Sequence, residues 1–230
     1  MKIKELLLNE AILSPEDKAV DLEIKAIRKG KYASHPTKVR FGNYKIENGM
    51  VCIDDLSSLP WKLTSLTITS EGKLPFRFKR CGQILINTAL LSSFDGFPED
   101  ISARGSTDYG MAAIIAITIN ERLTSLEGIS KRIKGDLRLG MCHKIDWSNA
   151  HKYFEYIDGS VTISNQYNGP MLWALKIPKL HLVFYHKSFD MTDEQSTMMK
   201  ILGKHLRGTR DIIACQRELI ENDLDEYAEL

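Results

Sequence analysis

Leu91-Ser92-Ser93-Phe94-Asp95-Gly96-Phe97-Pro98 returns 32 residues later as Leu123-Thr124-Ser125-Leu126-Glu127-Gly128-Ile129-Ser130. A shorter copy, Leu56-Ser57-Ser58-Leu59-Pro60, lies 35 residues before the first. An apolar residue, Ile101 or Ile133, follows each long copy at the same offset. Between the copies run Φ-x-Φ pairs: Val51/Ile53, Leu66/Ile68, Ile84/Ile86, Ile117/Ile119, Leu137/Leu139, Val161/Ile163 and Leu180/Leu182. Side chains two apart share one face of a pleated strand, so each pair predicts a short strand with one apolar side. Gly49, Gly82, Gly135 and Gly159 precede several of these pairs, where a glycine lets the chain turn at positive φ. A unit that buries its apolar face only against its neighbours predicts a coil of stacked repeats. The uneven spacing predicts an irregular coil.

Outside the repeats the pattern changes. Ser14-Pro15-Glu16-Asp17 reads as a helix start, with Ser14 as cap, Pro15 as first helical residue and Asp17 completing the capping pair. That helix offers Ala19, Val20, Leu22, Ile24, Ala26 and Ile27 for burial and stops at Gly30. Residues 25–45 carry Lys25, Arg28, Lys29, Lys31, Lys38, Arg40 and Lys45 and no acids. They read as a solvated helix end and loop, with contact to nucleic acid or an acidic partner as the alternative. Thr192-Asp193-Glu194-Gln195 is a capping box, and Met198, Ile201, Leu202 and Leu206 follow at helix spacing. A second helix starts near Arg210, and both are expected to cover the open end of the coil.

The chain has 230 residues, 43% hydrophobic and 27% charged, values of an ordinary globular protein. Lys plus Arg is 31 and Asp plus Glu is 30, a net charge of +1. That balance speaks against a duplex-coating basic protein, so specific nucleic-acid binding is not expected. No apolar run approaches the ~20 residues of a membrane span. Cys52, Cys81, Cys142 and Cys215 are far apart and are expected as reduced, buried thiols.

The repeat region resembles the leucine-rich-like repeat proteins of large contractile-tailed phages. Leu74-Pro75-Phe76-Arg77-Phe78 resembles the opening of such arrays, and the match is good at 74–101 and 123–139. Gln216-Arg217-Glu218-Leu219-Ile220 resembles tails of the same family. The resemblance implies an α+β architecture: an irregular β-rich, leucine-rich-repeat-like solenoid flanked by an N-terminal helix and a C-terminal helical pair. Gly82, Leu91, Phe94, Gly96, Pro98, Leu123, Leu126, Gly128, Gly135 and Gly159 define its repeats.

Residues 1–10, Met-Lys-Ile-Lys-Glu-Leu-Leu-Leu-Asn-Glu, are followed by Ala11. They resemble the capsid-targeting peptides of phage internal head proteins, which carry a short amphipathic helix and end in Leu/Ile-x-Glu before a small residue. The resemblance implies docking to the prohead scaffold through Ile3, Leu6 and Leu7. It also implies cleavage by the prohead protease at Leu8-Asn9-Glu10, before Ala11. The expected organisation is a cleaved leader at 1–10, a helix and basic linker at 11–43, the repeat region at 44–190 and a helical cap at 191–230.

No P-loop, no strand–G-x-G-x-x-G–helix unit and no G-x-S-x-G elbow occurs. Some phage internal proteins are ADP-ribosyltransferases, but Gln216-Arg217-Glu218 is the sole match to their late motif and lies in a predicted helix. His143, His151, His181 and His186 lack metal-ligand spacing, so no metal and no cofactor are expected. Trp147, Tyr153, Phe154, Tyr156, Tyr167 and Trp173 read as a packed end, with a protein-binding patch as the alternative.

The expected function is therefore a non-enzymatic internal head protein, located in the capsid interior and then the host cytoplasm, with a host protein as eventual partner. Its candidate binding face is Arg104, Arg138, Thr162, His181 and Tyr185. The alternatives are an unpackaged cytoplasmic interaction module acting during infection, and a transferase or hydrolase using the polar break at 104–109.

Overall fold

The computed structural model describes residues 13–29, 44–52, 61–64, 72–80, 84–87, 91–102, 113–117, 120–185 and 191–229. Helix α1 spans Pro15–Arg28. Ser14 Oγ accepts the Asp17 N–H at 3.0 Å, as a cap should. The Asp17 carboxylate does not return to the cap; it accepts the Gly49 N–H at 2.7 Å and so ties the helix to the first hairpin. That hairpin is β1 (Lys45–Glu47) and β2 (Met50–Cys52), turning through Asn48 and Gly49, both at positive φ. Of the apolar residues offered by α1, Ile24 is fully buried and Leu22 is 65% exposed.

Ten further strands follow: β3 (Trp61–Thr64), β4 (Arg77–Arg80), β5 (Ile84–Asn87), β6 (Asp100–Ser102), β7 (Ala113–Ile117), β8 (Arg132–Lys134), β9 (Asp136–Arg138), β10 (Tyr156–Asp158), β11 (Ser160–Ser164) and β12 (His181–Tyr185). They form three sheets. The largest has six strands in the order β12-β11-β9-β7-β5-β3, all parallel. A second, also parallel, has the order β10-β8-β6. The third is β1-β2-β4, with an antiparallel and a parallel pair.

The chain passes from the small parallel sheet to the large one at a single glycine. Gly135, at φ +134°, joins β8 to β9, and Gly159 joins β10 to β11. A Cβ on Gly159 would collide with the Gly135 carbonyl, so the two corners stack this closely only because Gly159 has no side chain. The repeated octapeptides stack in the same manner. Leu91, Phe94, Leu123 and Leu126 are fully buried, and Pro98 is buried beside them. Gly96 and Gly128 turn at positive φ, and a Cβ on Gly96 would lie 2.8 Å from the Phe76 carbonyl oxygen. Asn120, fully buried, donates to the Leu91 carbonyl at 2.8 Å and accepts the N–H groups of Arg122 and Leu123.

Helix α2 (Trp173–Lys176) was not foreseen from sequence; α3 (Asp193–Arg207) begins at its expected cap, and α4 (Ile212–Ile220) begins just after Arg210, capped by Asp211. Thr192 accepts the Gln195 N–H while the Gln195 side chain accepts the Thr192 N–H, both halves of the capping box. Helix α3 packs on α2, α4 and β12, and Met198, Leu202, Cys215, Leu219 and Tyr227 are buried there. Trp147 and Trp173 are buried and stacked, ring centroids 5.3 Å apart; Phe154 is also buried, while Tyr153, Tyr156 and Tyr167 are half-buried. Cys52, Cys142 and Cys215 are buried, and Cys142 and Cys215 are free thiols.

The expected leucine-rich-repeat-like solenoid is corrected by these observations. The protein is a mixed α/β structure: three separate sheets of six, three and three strands, one with an antiparallel pair, four helices among the described residues, and no closed barrel. No solenoid is shown among the described residues. The sequence pattern specifies which side of each strand is apolar, but partition into sheets is decided by register. Register slips between Val51 and Cys52 and between Ala113 and Ile115 interrupt any uniform coil.

Candidate functional site

Alternation along three neighbouring strands separates a buried side of the large sheet from an exposed one. Leu137, Val161, Ile163 and Leu182 are buried. Asp136, Arg138, Ser160, Thr162 and His181 alternate with them and so share the opposite face. Register brings them together: Arg138 lies opposite Thr162, and Ser160 opposite His181. Arg138 and His181 are exposed and Thr162 is half-buried. Asp136 is the pivot. One carboxylate oxygen accepts the Ser160 N–H at 2.9 Å, and the other lies 3.5 Å from an Arg138 Nη. The carboxylate therefore sets the start of β11 and steadies the guanidinium that the face presents.

This face offers a guanidinium, an imidazole and hydroxyls on a sheet whose other side is packed. That is chemistry for gripping a polar surface through hydrogen bonds and charge. Tyr185, the fourth strand position expected here, pairs through its backbone with Ser164. Ser164 is buried, and its Oγ lies 2.7 Å from His143 Nδ1. Arg104 lies outside the described residues, as do Gly82, the cleavage residues Leu8, Glu10 and Ala11, and the docking residues Ile3, Leu6 and Leu7. Asp136 and Ser160 were not foreseen as part of the face. Their signal was present: each directly follows one of the two corner glycines, Gly135 and Gly159.

Two open polar grooves lie away from this face. One, of about 570 Å³, runs between the turns 92–95 and 125–128 and is lined by serines, Asp95 and Glu127. The other, of about 390 Å³, lies beside β4 and is lined by Arg77, Lys79, Asp95 and Glu99. Ser93 and Ser125 accept the N–H groups of Asp95 and Glu127, so these hydroxyls shape their own turns. Asp95 lies 3.6 Å from Arg77 and 4.0 Å from Lys73. Burial pushes the Cys142 thiol up to about 12 and the Cys215 thiol up to about 11, which keeps both protonated and poorly nucleophilic. Among the described residues no group of three or more His, Cys, Asp or Glu side chains is placed to hold a metal ion. No helix among them is long and apolar enough to cross a membrane. No family model, curated protein or solved structure matches this chain.

Proposed function

We propose that this chain is a non-enzymatic internal head protein of a large contractile-tailed phage. Its leader docks it on the prohead scaffold, and the prohead protease cuts between Glu10 and Ala11. The mature chain is packaged in the capsid and then engages a host protein. The observation that carries the binding reading is the row of exposed Arg138, half-buried Thr162 and exposed His181, backed by buried Leu137, Val161 and Leu182. Packed strands hold these donors in a flat array, the shape of a surface that meets another surface. The segment Leu8-Asn9-Glu10-Ala11 supports the packaging reading.

Mass spectrometry of purified virions tests it, by searching for peptides that begin at Ala11 without a tryptic site. Ala11 as the mature N-terminus is the expected result. Detection only in infected-cell lysate, with the chain starting at Met1 or Lys2, would overturn packaging and leave an interaction module acting in the host cytoplasm.

A further inference from the structure

Strands β9, β11 and β12 lie side by side at one edge of the large sheet. Between them they hold one acid, Asp136, and two basic side chains, Arg138 and His181. The acid is withdrawn from the surface. Asp136 is 7% exposed, and its carboxylate accepts the Ser160 N–H at 2.9 Å. Arg138 and His181 are exposed. What this face shows another molecule is therefore positive charge and hydroxyl donors, while its one negative charge is engaged with the backbone of β11.

The guanidinium of Arg138 is steadied without being filled. One Nη lies 3.5 Å from Asp136, a long contact, and the rest of the fork meets no acceptor among the described residues. The Arg138 side chain is 55% exposed. Cations at the small parallel sheet are in the opposite condition. Arg132 meets Asp100 and, at 3.0 Å, Glu155; Lys131 meets Glu99 and Lys179 meets Asp158, each at 3.1 Å. That surface neutralises these charges itself, whereas the large sheet leaves its guanidinium to another molecule. Thr162 lies opposite Arg138 on the adjoining strand, about 4.8 Å away, which sets a hydroxyl beside the fork. His181 lies one strand further, opposite Ser160.

We propose that this face takes an acidic protein segment, with Arg138 gripping a partner carboxylate through both arms of its fork. Guanidinium and carboxylate match in plane and spacing, and the pair forms two parallel charge-assisted hydrogen bonds. Thr162 adds a hydroxyl donor next to that pair. His181, two strand spacings or about 10 Å from Arg138 across the sheet, supplies a donor for a second acceptor. Asp136 is a positioning residue: its long contact orients the guanidinium and leaves the fork open. Charge complementarity selects an acidic protein over a nucleic acid. A phosphate backbone is held by clusters of lysine and arginine, and these three strands carry a single guanidinium and no lysine. This inference rests on the reading of the face as the surface that meets a host protein, and it names the chemistry of that partner.

The test is an NMR titration of the full-length chain with a hexaglutamate peptide at constant ionic strength, read at the backbone amides of Arg138, Thr162 and His181. Saturable shifts at all three are expected, and none with hexaglutamine. Arg138→Gln is expected to weaken binding about tenfold or more. Arg138→Lys, which keeps the charge and loses the fork, is expected to weaken it about threefold or more. Unchanged amide signals along α3 verify that both variants remain folded. The proposal is overturned if hexaglutamate gives no saturable shift, or if Arg138→Lys binds as tightly as the parent chain. It is equally overturned if a single-stranded oligothymidylate saturates these amides and hexaglutamate does not. A second arm compares retention of host-cell proteins on the immobilised chain with retention on Arg138→Gln and on Thr162→Tyr, which sets a bulky ring in the middle of the face. Loss with both variants is expected. Loss with Thr162→Tyr alone overturns the acidic partner and leaves the binding face standing. Retention that is absent, or unchanged by both variants, overturns the face itself and this proposal with it.

Discussion

The two ends of the structure are closed by helices in different ways. At the N-terminal end, α1 lies on the β1–β2 hairpin with Ile24 as its fully buried anchor and Leu22 exposed. Polar tethers do much of the holding: Tyr44 donates to Asp21 at 3.0 Å, and Asp17 accepts from Gly49. At the C-terminal end, α2, α3 and α4 bury Trp173, Met198, Leu202, Cys215, Leu219 and Tyr227. There the backbone is also stitched across elements. Arg210 donates to the carbonyls of Ala174, Ile177 and Leu180, and the Met171 N–H donates to the Tyr227 carbonyl at 3.0 Å. An end closed by apolar burial shares its stability with the sheet, whereas an end held by a buried anchor and polar tethers can open locally.

Paired truncations should show this difference most strongly. Trp173→Ala is expected to cost about 3–5 kcal/mol in urea denaturation, in one global transition. Ile24→Ala is expected to cost about 2–3 kcal/mol and to speed amide exchange only in Pro15–Arg28. Faster exchange throughout the large sheet in the second variant would break the comparison.

A smaller effect concerns the polar stitches. Arg210→Met removes a cation from three carbonyls at once and is expected to cost about 1–3 kcal/mol, since those acceptors lose their partner in a half-buried place. Asp17→Ala removes an acceptor from the hairpin turn and a favourable charge from the first turn of α1, for about 1 kcal/mol. A larger loss from Asp17→Ala, read by thermal unfolding, would reverse the ranking of the two ends.

The smallest effect is electrostatic. Hydrogen bonds from Lys204 and then His205, at 2.8 Å each, hold the Glu218 carboxyl below its ordinary value. A carboxylate with a lowered folded pKa contributes stability above its unfolded value, and that contribution is lost as pH falls through the folded value. Glu218→Gln should therefore flatten the acid limb of the stability profile below about pH 4, by less than about 1 kcal/mol.

Much of the local structure was legible in the chain itself. Ser14, Thr192 and the segment after Arg210 announced their helices because a cap is a contact within a few residues. Alternation at 136–138 and 160–163 announced which side of β9 and β11 is apolar, and Arg138, Thr162 and His181 were assigned to the exposed face on that basis. Gly96, Gly128 and Gly159 marked turns and corners where a Cβ would meet backbone, and Gly135 one that turns at positive φ. What the tertiary structure alone decided is long-range. Division into three sheets depends on register between strands 22 to 32 residues apart, where a slip of one position costs a whole face of burial. The grip of Asp136 on Ser160 and the reach of Arg210 to three carbonyls have the same origin. Each needs elements that packing brings together, and side-chain hydrogen bonds and charges form only after hydrophobic burial has chosen which elements are neighbours.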